Sequence, residues 1–143
     1  MDTLPAVTPD STMPENPPTQ LRLLALLTAA EGLIMIGYAL ADLVAAAINE
    51  SDQWGAVWFV VVGFGLWGFS LLWTARGLVR RRRWAFTPVV FTQLMFGILA
   101  ISFFGEASLI AKISWGAVLA LAIVILRLAF DRTVREWLIT PSG

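Results

Sequence analysis

The sequence predicts an all-α integral membrane protein, with four transmembrane helices in an up-down bundle and both termini cytoplasmic. Three observations predict it. Hydrophobic residues fill 58% of the 143 positions, the mean hydropathy is +0.77 and only 14% of residues are charged, a balance outside that of soluble domains. The apolar residues gather into four spans, 21–48, 53–79, 84–104 and 107–130, each long enough for a hydrocarbon core of about 30 Å. The bases, finally, cluster on one side of the topology those spans imply.

Taken in order, residues 1–20, "MDTLPAVTPDSTMPENPPTQ", hold five prolines, three acids and no base. Such a stretch can neither bury a core nor begin a signal peptide, so a disordered cytoplasmic tail is expected. The Pro14-x-x-Pro17 spacing fits a polyproline ligand, but proline at this density more often marks linker. Residues 21–139 form the transmembrane domain. Its spans must be helices, because backbone groups in lipid need partners within their own segment. The breaks are short: "NESDQ" with Ser51 as an N-cap, "RRRR", and "GEA" with Gly105 as a C-cap. Short breaks make sequential helices antiparallel neighbours. After the last span, "RTVREWLITPSG" prolongs the helix along the interface until Pro141 stops it.

Orientation follows the bases. Arg22, Arg76, Arg80, Arg81, Arg82, Arg83, Arg127, Arg132 and Arg135 fall on one side, against Lys112 on the other with Asp42, Glu50, Asp52 and Glu106. Lys and Arg accumulate in the cytoplasm, so a multi-pass chain with its termini and arginine turn inside is expected. "WGAV" also occurs twice, at Trp54 to Val57 and Trp115 to Val118, a faint sign of a duplicated hairpin.

Gly63, Gly65 and Gly68 have the G-x-G-x-x-G spacing of a dinucleotide fingerprint. The fingerprint needs a strand before it and an acid roughly 20 residues after it, whereas this one lies inside an uncharged run ending near "RRRRW". The glycines read instead as a helix-packing seam, since small residues let backbones approach where no hydrophobic effect drives helices together. Trp54, Trp73, Trp84 and Trp115 suit the membrane interface. Trp58 and Trp67 lie deeper, facing lipid or a partner subunit.

Cysteine and histidine are both absent. Disulfides, thiolate zinc, iron-sulfur clusters, His-ligated haem and Cys-His nucleophiles are thereby excluded. The carboxylates are scattered, so neither metal, cofactor nor enzymatic activity is expected. The run Arg80, Arg81, Arg82 and Arg83 suits anionic phospholipid headgroups, a topology signal, or both. Nucleic-acid binding is not expected from bases confined to one short turn.

The first span carries a polar stripe. At 100° per residue from Glu31, Tyr38 falls at about −20°, Asp42 at about +20° and Asn49 at about 0°. Glu31 lies nine residues beyond Arg22, about 13 Å into the membrane, and an intramembrane acid is a functional-site hypothesis by default. Gln93 lies nine residues beyond Trp84 with Thr92 beside it, at the same depth, so a Glu31–Gln93 hydrogen bond is expected. A structural contact between helices is the leading reading of Glu31; proton or substrate handling and contact with a partner subunit are the others.

Two family resemblances bear on function. With four helices and "LTAAEGL" in the first, the chain resembles the small multidrug resistance transporters, which implies proton-coupled export through Glu31; the proline-rich tail and arginine turn depart from that family. Over most of its length it more closely resembles small four-helix actinobacterial membrane proteins with a Pro/acid-rich tail and a loop like "RRRRWAFTP". Some of these accompany the cytochrome bcc-oxidase supercomplex as accessory subunits without redox centres. That resemblance implies a non-catalytic accessory or assembly subunit of a larger, respiratory membrane complex and transfers no functional residues.

Overall fold

The computed structural model describes residues 16–49, 52–104 and 108–139. The tail up to Glu15, with Ser51, Gly105, Glu106 and Pro141, lies outside them. Among the described residues the chain is all-helical, and four of its helices are long and apolar enough to cross a membrane.

Helix α1 (Thr19–Ile48) starts directly after Pro18, because proline holds the residue before it extended and releases the chain into a helix behind it. It ends at Asn49, whose backbone N–H and side-chain amide both donate to the Ala45 carbonyl. Helix α2 (Trp54–Val79) stops through a left-handed residue: Arg81 has φ 56°. Arg82 N–H then reaches the Gly77 carbonyl at 2.9 Å and Arg81 N–H the Leu78 carbonyl at 3.1 Å. This is the Schellman pattern, with an arginine where glycine is usual. A 3₁₀ turn, Arg83–Ala85, leads into α3 (Phe86–Phe104), whose first turn accommodates Pro88. Helix α4 (Leu109–Ala129) is capped by Ser108, whose hydroxyl accepts from Ala111 N–H.

Beyond α4 the helix does not continue along the interface. It breaks at Phe130–Asp131, and Asp131 caps a new helix, α5 (Arg132–Ile139), by accepting from Thr133 N–H at 2.9 Å. Val134 and Leu138 of α5 are buried against the bundle. The turn after α2 holds the helix from the other side, with the Arg81 guanidinium 3.6 Å from the Trp137 ring centroid, a cation–π contact.

The helices form two antiparallel hairpins, α1 with α2 and α3 with α4. They share a core at the end of the bundle that carries the arginine turn, where Leu21, Leu24, Leu78, Val89, Ile125 and Val134 have no exposed surface. Phe86 meets Phe130 edge-on there, with centroids 5.6 Å apart. Away from this end the hairpins leave a crevice between them.

The glycine seam is narrower than expected. A Cβ on Gly68 would stand 2.5 Å from the Gly32 carbonyl oxygen and one on Gly32 2.7 Å from that of Gly68, so α1 and α2 touch backbone to backbone at this pair. Nothing lies within 4 Å of a Cβ on Gly63 or Gly65. Helical geometry is the reason: Gly63 and Gly65 are rotated by about 140° and 60° from Gly68, so one neighbour cannot take all three. The "WGAV" stretches are not equivalent either, since Trp54 opens α2 while Trp115 comes well after α4 begins at Leu109.

Candidate functional site

The polar centre of the bundle joins the two hairpins. Glu31 of α1 is 7% exposed and Gln93 of α3 is 1% exposed, and Gln93 Nε2 donates to Glu31 Oε2 at 2.6 Å. A side-chain bond across 62 positions of sequence forms because both residues stand at the same depth on helices leaving the same end. Thr28, one turn before Glu31, returns its hydroxyl to the Leu24 carbonyl at 2.9 Å and leaves the carboxyl to Gln93. The amide oxygen Oε1 of Gln93 is buried without a partner, so the pair is one donor short of satisfaction.

Glu31 also lines the crevice, which measures about 530 Å³. Its other walls are apolar, with Phe64 and Trp67 from α2, Met95 and Phe96 from α3, and Trp115 from α4. Trp67 stacks on Phe91 with centroids 6.5 Å apart, and its buried indole N–H has no partner. The size matches a small-molecule cavity. Among the described residues its walls offer apolar contact, two indole rings and one carboxyl.

Compared with protein-family models, curated proteins and solved structures, the chain matches nothing.

The other residues singled out from the sequence fall elsewhere. Tyr38 is 58% exposed and meets Phe64 at 5.3 Å, and Asp42 is half-buried further along α1. Neither reaches the Glu31–Gln93 pair, although all share a stripe of α1, because they stand about two and three turns further along the helix. Of the arginine run, Arg80 and Arg82 are exposed while Arg81 covers Trp137. Among the described residues no three carboxylates come together as a metal site would require.

Sequence reasoning missed Gly32 and the crevice walls Met95, Phe96 and Leu99, and it turned Trp67 toward lipid or a partner subunit where the structure sets it in the crevice wall. Gly32 alone carried a signal, as a small residue beside the intramembrane acid. The walls carried none, since any apolar residue in lipid looks like them.

Proposed function

We propose that this chain is a non-catalytic accessory or assembly subunit of a larger membrane complex, of the respiratory kind that its layout resembles, in a bacterial inner membrane with both termini cytoplasmic. One observation carries the reading: the outward face of α2 has a notch at Gly65. Nothing lies beside that glycine, while Trp58 (53% exposed) and Phe69 (60% exposed) stand on the same face, seven residues before it and four after. A gap between two projecting aromatic rings receives the ridge of another helix, and in lipid such close packing is what binds helices together. The arginine turn contributes topology and contact with anionic headgroups. The experiment is purification in mild detergent with identification of co-purifying membrane proteins. Wild type should bring down the same larger complex repeatedly, and Gly65→Leu should lose it while melting as wild type does. A chain recovered alone from native membranes would refute the proposal.

A second reading, a small proton-coupled multidrug-type transporter, is favoured by Glu31 lining the crevice. Its mark would be proton-dependent substrate uptake in liposomes that Glu31→Gln abolishes.

A further inference from the structure

We infer that the groove between the start of α1 and the end of α2 is a binding site for one molecule of anionic phospholipid, its phosphate held between Arg22 and Arg76. The site is distinct from the arginine turn and from the Gly65 notch. It is a furrow of about 430 Å³, and its two ends differ in chemistry. At the mouth stand Arg22, four residues into α1, and Arg76, one turn before the end of α2. Both are exposed, and neither pairs with a carboxylate among the described residues; the contact Arg22 does make is to the Asn16 amide oxygen at 3.4 Å. Two guanidiniums lining one furrow on adjacent helices, with no carboxylate beside them among the described residues, present the planar donors that a phosphodiester accepts.

Below the mouth the groove is apolar. Its α1 wall continues from Arg22 through Ala25 and Ala29, at helical spacings of three and seven, and its α2 wall from Arg76 to Leu72, one turn deeper. Ala25 and Ala75 are buried at the floor. Alanine is what makes this a furrow, since longer side chains at these positions would fill it. A pair of arginines above a furrow running into the membrane fits a phosphate joined to an acyl chain, whereas a free phosphate would use only the mouth. The inference stands apart from the partner-subunit reading, because it concerns the isolated chain.

The test is native mass spectrometry of the purified full chain in detergent, titrated with dioleoylphosphatidylglycerol, dioleoylphosphatidylcholine or inorganic phosphate. One phosphatidylglycerol per chain should be retained in preference to phosphatidylcholine, and inorganic phosphate should not compete at matched concentration. Affinity should fall roughly fivefold for each of Arg22→Gln and Arg76→Gln and much less in Arg80→Gln/Arg82→Gln, whose headgroup contacts lie outside the groove. Ala29→Leu, which fills the furrow without altering charge, should also expel the lipid. Equal loss in the Arg80→Gln/Arg82→Gln variant would reduce the effect to diffuse attraction and overturn the site. So would equal retention of phosphatidylcholine, or displacement by inorganic phosphate. Should Ala29→Leu fail to fold, the arginine variants decide, since both side chains are exposed and their loss leaves the helices intact.

Discussion

Replacing Glu31 by glutamine keeps the shape of the carboxyl and adds a donor. The new amide can accept from Gln93 Nε2 and donate to Gln93 Oε1, the buried oxygen that has no partner. Glu31→Gln should therefore melt at or slightly above wild type in detergent. Gln93→Leu removes the partner and leaves the carboxyl alone at the crevice wall, which should lower stability by about 1–3 kcal/mol. Glu31→Ala should cost about 1 kcal/mol, because polar bonds between membrane helices are individually modest. If Glu31→Gln unfolds the chain, the carboxyl is held by something other than Gln93.

At the scale of helices, the Gly32–Gly68 crossing and the Gly65 notch make opposite predictions for one kind of change. A side chain on Gly68 meets the α1 backbone, which cannot give way as a flexible side chain would. Gly68→Leu should lower stability by at least about 1–3 kcal/mol, the usual cost of overpacking, whereas Gly65→Leu should leave thermal unfolding unchanged. Identical melting of both variants would remove the crossing from the account. Helix α5 offers a second measurement. Trp137 lies under the Arg81 guanidinium and packs on the shared core. Trp137→Ala should speed amide exchange throughout residues 132–139 and leave α1 to α4 protected. Arg81→Gly would remove the same contact but also relieve the left-handed backbone, worth about 1–2 kcal/mol, so it should loosen α5 without destabilising the bundle.

For the whole molecule, the arrangement of two hairpins joined at one end makes both the topology and the crevice testable. The proposed orientation rests on nine bases against one. Cysteines placed singly at Arg81 and Ser142 should resist a membrane-impermeant maleimide in intact cells, and one at Asp52 should react. Reaction at Arg81 from outside would invert the topology. Filling the crevice should tighten the hairpins on one another. Val118 lines it, so Val118→Phe should raise the melting temperature by the equivalent of about 0.5–2 kcal/mol; a fall would show that the crevice is too narrow for a ring.

The helical class and the four helices long and apolar enough to cross a membrane were legible in the sequence, because lipid requires long, uninterrupted apolar helices and charged residues end them; the separate α5 was not. The depth match of Glu31 and Gln93 was legible too, since a constant rise per residue converts position into height. Which faces meet was not. In lipid the inward and outward sides of a helix are equally apolar, so the stripe that marks a core in a soluble bundle is missing and the glycines of α2 read as one seam. Only the tertiary structure decided that Gly68 meets Gly32, that Gly65 is left open, and that α5 folds back beneath Arg81. The physical reason is common to all three. Helix length and depth are set by the solvent, which every segment meets independently, whereas helix rotation is set by the shapes of particular neighbours, which no segment contains by itself.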